Sequence, residues 1–477
     1  MTPHISTPIP HPRFRLPILG DVLTIDREKF SQWGNTQFRE LNTGIIELLA
    51  GKIRIVGLAD AALIEEVNDE IRWEKKIGPS LNNLRALIGD GLFTAHNDEP
   101  NWLKAHNILM PAFTRASMRC YHDTMAATAA ELVGAWKANT TDEMWIDIPA
   151  EANRLTIEMI GRAGVGYSFG KLTEPGENPL IAAIQRELHY ARFVRRIPGY
   201  ETLFGRKRKY QHDADLRYAR SRVADIIEAR RLNLTPEPGN DMLDIMLHSV
   251  DRASGDRLDN DNIINQIMTL LIAGSETSAN TIAFALHFLS IYPDVAARAR
   301  CEVDKLWPDP TAPNIDFDDV PKLRYLRRVI DETLRLWPVA PGYSRQARQD
   351  TSIGNGKYHF RTGDFVIVFL LAAHRSDAWG PDADEFNPDR FLPENLRKLP
   401  PHTYKPFGTG PRACIGRQFA FHEILLTLAA VLHHFDLEPS PGYHLSVSEP
   451  LTLKPAGFQL RLHQRRSHEG ANNSLGS

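Results

Sequence analysis

The chain is poor in cysteine, carries almost no net charge and has no long apolar run. Only Cys120, Cys301 and Cys414 are present among 477 residues, and they lie far apart. An odd, scattered set of this kind excludes a disulfide framework and a zinc site built from several cysteines. A formal charge of −3 gives no reason to expect a nucleic-acid partner. The composition leaves open whether one thiol is reactive or a ligand.

Both ends of the chain lack the features of a membrane anchor. No apolar stretch approaches the ~20 residues that a transmembrane helix requires, and the first residues lack the apolar core of a signal peptide. Residues 1–20 contain five prolines, so we expect an extended arm on the body. Residues 465–477 have the composition of a flexible tail. These features predict a cytoplasmic protein in which residues 21–464 form a single domain.

The interior is predicted to be mainly helical. Apolar residues recur at helical spacing from about residue 100 to 345, and short strands and turns follow from about 353 to 371. Residues 451–463 have the pattern of a terminal hairpin. No linker rich in Gly, Ser or Pro divides this region. The sequence therefore predicts one mainly α domain with a smaller β portion.

One predicted helix is unusually long. It follows the capping cluster at residues 259–261, extends from Ile263 to Tyr292 and ends at Pro293. Thirty residues at ~1.5 Å each would span roughly 45 Å. The helix is apolar nearly all round, which is typical of a central buried helix.

The middle of this helix, Ala273 to Ser278, contains a glycine and four polar residues, which is costly in a buried setting. Two interpretations stay open. Thr277 can bond back to the carbonyl of Ala273 and only bend the helix. Alternatively, the helix opens beside a cofactor, and Glu276 and Thr277 line a wet groove there.

Cys414 lies in a glycine-rich turn that leads into a second apolar helix. The turn, residues 407–416, has the sequence FGTGPRACIG. Backbone N–H groups at a helix N-terminus stabilise a thiolate, and glycines let main chain approach a flat ligand closely. Arg412 could pair with an anionic edge of that ligand. A lone cysteine is by default a small buried hydrophobe, and we expect that role for Cys120 and Cys301.

The complete turn resembles the haem-ligand loop of the cytochrome P450 superfamily. Three further motifs agree in order: the central patch at residues 273–278, Glu332 with Arg335, and the segment 386–391 that contains Arg390. The resemblance implies the P450 fold, with a long central helix over haem b, Cys414 as axial thiolate ligand and O2 as co-substrate. Glu332, Arg335 and Arg390 would form an ion network that holds the ligand loop against the core.

Residues from about 60 to 460 resemble one branch of this family most closely, the soluble bacterial fatty-acid hydroxylases whose best-known members carry a fused flavin reductase. By this resemblance Thr277 and Glu276 would be the alcohol and acid that supply protons. The predicted haem contacts are Cys414, Trp102, His106, Arg412, Phe407, Gly408 and, as weaker candidates, Lys75 and Arg345. The predicted substrate pocket consists of Phe93, Leu81, Ala273, Ala340 and Leu451. The alternative for these apolar residues is ordinary core packing.

Two departures from the branch affect its function. The Arg and Tyr that would anchor a fatty carboxylate are replaced by Ile53 and Gly57, although Lys52 and Arg54 are adjacent and could substitute after a one-residue slip. The chain also contains no nucleotide-binding fingerprint beyond the haem domain. We therefore expect electrons from a separate ferredoxin or flavodoxin, unless the sequence is the excised haem domain of a longer fusion. The partner would dock on Lys104, Arg115, Arg119, Lys405 and Arg417.

The leading functional prediction is hydroxylation of a medium- or long-chain fatty acid. Oxidation of a bulky secondary metabolite is a second possibility, which the missing anchor pair permits. A peroxide-driven peroxygenase is a third, but known members replace the acid–alcohol pair that Glu276 and Thr277 retain. A non-enzymatic haem sensor would not need those two residues.

Overall fold

The computed structural model describes residues 7–139, 144–174, 176, 178–196, 206–232, 241–308 and 315–465. Helices dominate these ranges. The helices of seven or more residues are Phe30–Glu40, Ala61–Val67, Pro79–Ile88, Pro100–Leu109, Arg115–Asn139, Ile148–Met159, Pro179–Arg196, Arg206–Arg231, Met242–His248, Asn260–Ile291, Pro293–Leu306, Arg324–Leu336 and Arg417–His434. Short helices occupy Leu370–Ala373 and Pro393–Leu396, and a π-helical segment, Ile160–Val165, continues from Met159.

The β portion consists of four small sheets. The largest has five strands, in the spatial order Ile45–Ala50, Ile53–Leu58, Phe365–Phe369, Gly342–Ala347 and Trp73–Lys75. A three-stranded sheet has the order Ile146–Asp147, Gln459–Gln464 and Phe435–Pro439. Two-stranded pairs join Ser446–Ser448 to Lys454–Ala456 and Thr351–Ile353 to Tyr358–Phe360. The mainly α architecture with a smaller β portion is confirmed.

The central helix begins three residues before the predicted Ile263, inside the predicted capping cluster, and ends one residue before the predicted Tyr292. It extends over Asn260–Ile291, and the Asp259 carboxylate caps it by accepting from the Asn262 N–H at 2.8 Å. It ends just before Pro293, which cannot continue the helical hydrogen bonds. The helix is buried along most of its length and packs against Ile148–Met159 and Arg417–His434. It therefore forms the axis of the main hydrophobic core.

The predicted hairpin over residues 451–463 is wrong. Its first strand, Lys454–Ala456, pairs with Ser446–Ser448 instead. The following strand, Gln459–Gln464, lies between Phe435–Pro439 and Ile146–Asp147. Both edges of the last strand are thus occupied by other partners, and the chain turns between the two strands at Gly457, where φ is +64°.

The predicted terminal segments are described only in part. In the arm, the Thr7 N–H donates to the Lys357 carbonyl at 3.1 Å and the Pro10 carbonyl accepts from the Glu47 N–H at 2.8 Å. Residues 1–6 and 466–477 lie outside the described residues, so the domain boundaries stay a prediction. Across the described ranges, no helix is long and apolar enough to cross a bilayer.

Candidate functional site

The glycine-rich turn brings Cys414 to the start of the helix Arg417–His434. Gly408 and Gly410 have φ values of +68° and +71°, which glycine adopts without a steric cost. The Cys414 N–H donates to the Phe407 carbonyl at 2.9 Å and closes the turn. The Phe407 ring packs 5.0 Å from the ring of Phe421 on the following helix. This packing fixes the turn on the helix that it precedes.

The environment of the Cys414 sulfur suits a metal ligand. Burial raises the pKa of the thiol, while the Gly416 N–H and the Arg417 charge lower it. The side chain is nevertheless accessible, so it is open to a ligand. A bound metal ion deprotonates a coordinating thiol outright. Cys120 and Cys301 are exposed, so the expectation that they are packing residues is wrong.

The polar patch of the central helix is accessible without a break in the helix. Ala273, Gly274, Glu276 and Thr277 are half-buried, whereas residues 262–272 are buried. The residues remain α-helical, and the Thr277 hydroxyl donates to the Ala273 carbonyl at 2.8 Å. The back-bonding interpretation is therefore confirmed, and the helix does not open. Of these four residues Glu276 lines a cavity, whereas Ala273, Gly274 and Thr277 do not line it.

Three of the predicted haem contacts form one stack. The rings of Trp102 and His106 lie 5.0 Å apart on one face of their helix. The Arg412 guanidinium carbon lies 3.8 Å from the Trp102 ring centroid, and its nitrogens donate to the Ala95 and His96 carbonyls at 3.2 Å. These contacts hold a cation beside Cys414, as an anionic ligand edge would require.

Lys75 adds a second cation to this stack. Its ammonium donates to the Phe93 carbonyl at 2.6 Å. Burial and the charge of Arg412 lower the pKa of Lys75 to about 7. Burial also lowers the pKa of Arg412 to about 10 and reduces the pKa of His106. Glu70, Glu74 and Glu99 partly balance the charge of Arg412, and haem propionates would add further anionic partners to this cluster.

Arg345 is engaged differently. Its strand pairs with that of Lys75, and the two residues are register partners. The Arg345 guanidinium forms an ion pair with Glu70 at 2.9 Å and donates to the Val67 and Trp73 carbonyls, both at 3.1 Å. Its charge is therefore already balanced by Glu70, which agrees with its place as a weaker candidate for a propionate contact.

The predicted ion network is assembled. Arg335 donates to Glu332 through Nε at 2.6 Å and Nη2 at 2.7 Å, and both side chains are fully buried. Arg390 Nε lies 3.5 Å from the Glu332 carboxylate. The Asn387 N–H donates to the same carboxylate at 2.8 Å. The network thus joins the helix Arg324–Leu336 to the segment that contains Arg390.

His374 connects this network to the ligand loop, although no motif in the sequence indicates this role. Arg335 donates to the His374 carbonyl at 3.0 Å. The His374 imidazole Nε2 accepts from the Lys405 N–H at 3.1 Å, and the Lys405 carbonyl accepts from the Gly408 N–H at 3.0 Å. Burial lowers the pKa of His374 to about 3, so the ring is neutral and can accept. A continuous path of hydrogen bonds therefore supports the loop.

A cavity of about 380 Å³ lies on one flank of the central helix. Of the five predicted substrate-pocket residues only Leu451 lines it; Leu81 and Phe93 are half-buried against the core and Ala340 is exposed. The lining residues are Leu84, Asn153, Ile157, Ile181, Ile184, Gln185, Leu188, His189, Ala191, Leu271, Ile272, Ser275, Glu276, Asn280, Pro450, Leu451 and Lys454. The cavity is mainly apolar, with a polar corner at Glu276.

Of the two cations beside the place of the missing anchor, Lys52 is exposed in the turn before the strand and Arg54 is paired. Ile53 is exposed, and a side chain at Gly57 would press against core atoms at 2.9 and 3.0 Å. The neighbouring Arg54 is paired with Glu47 at 2.8 Å and Asp364 at 3.7 Å. Arg54 is thus engaged in the sheet and does not replace the anchor.

The predicted docking residues are partly neutralised. Arg119 pairs with Asp318 at 2.6 Å, and Arg115 lies 3.6 Å from the same carboxylate. Arg417 is exposed, while Lys104 and Lys405 are half-buried. Arg115 and Arg119 are therefore partly neutralised by Asp318, whereas Arg417 is an exposed cation three residues after Cys414.

The fold, the thiolate turn and the cationic stack define a haem-thiolate protein. The chain belongs to the cytochrome P450 family, whose model matches residues 10–462. The family is that of haem-dependent monooxygenases, in which iron has a cysteine thiolate ligand and O2 is co-substrate.

Within the family, the chain is similar to self-sufficient enzymes and to one solved haem domain. It is 40% identical over 462 residues to a bifunctional cytochrome P450/NADPH–P450 reductase of Bacillus cereus, and 38% identical over 463 residues to such a reductase of Bacillus subtilis. Each match covers 96% of this chain but 42% of the relative. The crystal structure of a cytochrome P450, CYP102L1, matches with a TM-score of 0.90 and 55% identity, over 96% of this chain and 100% of that one.

Proposed function

We propose that this monooxygenase hydroxylates a medium- or long-chain fatty acid. The observation that carries the proposal is the mainly apolar cavity beside the central helix, whose lining includes Leu451, Leu188 and Ile272. Its volume of about 380 Å³ lies in the range of small-molecule sites, ~300–1,000 Å³. Similarity to the CYP102 branch supports the same substrate class.

The predicted contact residues around the glycine-rich turn would hold haem b. Cys414 would bind the iron, Phe407 and Gly408 would shape the thiolate side, and Trp102, His106 and Arg412 would bind the propionates. Lys75 and Arg345 complete the cationic side of the site. When bound, haem with a thiolate ligand supplies the cleavage of O2.

Thr277 and Glu276 would supply protons for that chemistry. Burial raises the pKa of the Glu276 carboxyl, whereas a hydrogen bond from Thr452 and the charge of Lys454 lower it. A carboxyl whose pKa is raised by burial holds its proton more readily than a solvated one and can act as a proton carrier. The Thr277 hydroxyl, next in sequence, would orient the delivered proton toward the haem side.

A spectral titration tests the substrate class. Fatty acids of graded chain length and unrelated apolar compounds are added to the ferric protein, and the shift from low to high spin is recorded. We expect a response that peaks at one chain length. A protein that stays silent with every fatty acid would contradict the proposal.

Oxidation of a bulky secondary metabolite is a second candidate. It is favoured by the early strand, where Ile53 and Gly57 offer no carboxylate anchor and Arg54 is already paired. In the same titration, a response to bulky neutral compounds with none to fatty acids would select this function.

We further propose that an acidic ferredoxin or flavodoxin delivers electrons at the cationic surface near Cys414. The exposed residues Arg115, Arg119 and Arg417 support docking there. Electrostatic docking weakens as salt screens the charges. The reduction rate should therefore fall as ionic strength rises, and a rate independent of salt would remove this docking mode.

A further inference from the structure

One segment of the chain joins four of the predicted haem contacts. Residues 89–99, which we call the connecting segment, lead into the helix Pro100–Leu109. Backbone carbonyls of the segment accept from two cations, and the following helix carries two rings; these four side chains are Lys75, Arg412, Trp102 and His106. The place of the connecting segment therefore decides where these side chains lie.

The connecting segment lies directly on the central helix. A side chain at Gly89 would overlap the Asn265 amide, and one at Gly91 would overlap the Thr269 hydroxyl. Gly89 also has a φ of +50°, which favours glycine. Both glycines thus permit a close approach between the segment and the helix.

Asp90 gathers three amides from two helices at the start of this segment. Its carboxylate accepts from Asn262 Nδ2 at 3.0 Å and from Asn265 Nδ2 at 2.9 Å, both on the central helix. It also accepts at 2.7 Å from Nδ2 of Asn101, the residue before Trp102. Burial raises the pKa of Asp90, but the three amide hydrogen bonds outweigh burial and hold the pKa below its usual value. The carboxylate is therefore charged at neutral pH and joins the central helix to the helix of the haem contacts.

Neighbouring side chains fix the orientation of the two central-helix amides. Arg220 donates to the Asn265 carbonyl oxygen at 2.7 Å, which leaves the amide nitrogen for Asp90. Gln266 Nε2 donates to the Asn262 carbonyl oxygen at 3.1 Å in the same way. Both amides thus present an N–H group to the carboxylate.

We propose that Asp90 is a positioning residue for the predicted haem contacts, because its carboxylate holds the connecting segment and the start of the next helix against the central helix. The inference rests on the proposed binding of haem propionates by Arg412, Trp102 and His106. The bond from Asn101 fixes the first turn of the helix beside Trp102, and the other two amide bonds fix the segment. Loss of the carboxylate loosens these contacts and speeds the release of haem.

Asp90→Ala removes all three hydrogen bonds. A hydrogen bond to a charged group contributes enough to change an equilibrium about tenfold. We therefore expect the haem-loaded variant to transfer haem to an apo-globin acceptor about tenfold faster than the unmodified protein. The matched control is Asp350→Ala, at an exposed acid that accepts two hydrogen bonds from Thr362, and it should release haem at the unmodified rate.

Asn101→Asp makes the same contact sensitive to pH. It sets a second carboxylate against that of Asp90, and two like charges at this distance raise the pKa of one of them. At low pH the shared proton restores a hydrogen bond between positions 90 and 101, whereas at high pH the two carboxylates repel. Haem release should be near the unmodified rate at about pH 5.5 and about tenfold faster at about pH 8.

The charges around this contact are the same in the unmodified protein and in the variant. The other titratable groups on the adjoining elements are Arg85, Glu99, Lys104, His106, Arg220 and Asp261. Arg85 is paired with Glu99 and Arg220 with Asp261. The pH effect of Asn101→Asp is therefore read as the difference from the unmodified protein. Asn82→Asp, at an exposed asparagine, adds the same charge elsewhere and should show no such difference.

The exchanged pair Asp90→Asn/Asn101→Asp separates positioning from a general loss of stability. The amide oxygen at position 90 can accept from Asn262 and Asn265, and the amide nitrogen can donate to the carboxylate at position 101. All three bonds and the net charge are restored, so slow release should return and its dependence on pH should disappear. Rapid release from the double variant, or release from Asn101→Asp that does not depend on pH, would overturn the inference.

Arg412→Gln distinguishes a failure of this inference from a failure of the proposed haem contacts. Faster release from Arg412→Gln together with unchanged release from Asp90→Ala would overturn the positioning role of Asp90 alone. Unchanged release from Arg412→Gln would instead remove the propionate contact on which the inference rests.

Discussion

A buried carboxyl without a hydrogen-bond partner should lower the free energy of unfolding at neutral pH. Glu423 on the helix Arg417–His434 is 1% exposed, and neither carboxyl oxygen has a hydrogen-bond partner among the described residues. The Ser278 hydroxyl faces it without a well-aligned bond. Burial raises the pKa of Glu423 well above its usual value of 4.5. The folded protein therefore keeps a proton that the unfolded chain releases.

The sign and size of the effect follow from proton linkage. The contribution of protonated Glu423 to stability is fully present below the unfolded pKa of 4.5. It is lost as pH rises toward the folded pKa. At 1.36 kcal/mol per unit, the cost reaches up to about 3 kcal/mol at pH 7 and about 1 kcal/mol at pH 5.5. Glu423→Gln has nearly the same shape and does not titrate. We expect it to raise the free energy of unfolding by up to about these amounts.

Urea unfolding of the haem-loaded protein at both pH values measures the change. The matched control is Glu332→Gln, an equally buried acid that is paired with Arg335. It should instead lower stability by about 3–5 kcal/mol, because a buried guanidinium loses its counter-charge. A Glu423→Gln protein that is less stable at pH 7, or whose gain is the same at both pH values, would refute the reasoning.

Two further predictions concern the site itself. Thr277→Ala should uncouple turnover, so that peroxide rises as product falls; unchanged coupling would remove Thr277 from proton delivery. Arg412→Gln should release haem about ten- to a hundredfold faster in a transfer assay to an apo-globin acceptor, because a hydrogen bond to a charged group contributes about 1.5–3 kcal/mol. Arg397→Gln, at an exposed arginine that is not among the predicted haem contacts, serves as its control, and equal release from both variants would count against propionate binding by Arg412.

Local features of the fold were predictable because their causes are local. The Asp259 cap and Pro293 define the central helix, since a side chain and a missing N–H within one turn decide where it begins and ends. The turn around Cys414 was equally predictable, because Gly408 and Gly410 adopt positive φ values that favour glycine.

Features that depend on distant partners were not predictable. The strand Lys454–Ala456 pairs with Ser446–Ser448 and not with the strand expected from the hairpin pattern. No local sequence pattern specifies this pairing. His374 supports the ligand loop through the Lys405 N–H, and Thr452 meets Asn280 across 172 residues of sequence. Such contacts arise only when tertiary packing brings separate elements together.

The central claim is that Cys414 is the thiolate ligand of a haem iron, and one measurement tests it most directly. The haem-loaded protein is reduced, carbon monoxide is added, and the absorption difference is recorded for the unmodified protein and for Cys414→His. We predict the red-shifted band of a thiolate haem in the unmodified protein and its loss in the variant. A haem-loaded protein without that band, or a Cys414→His variant that retains it, would contradict the account.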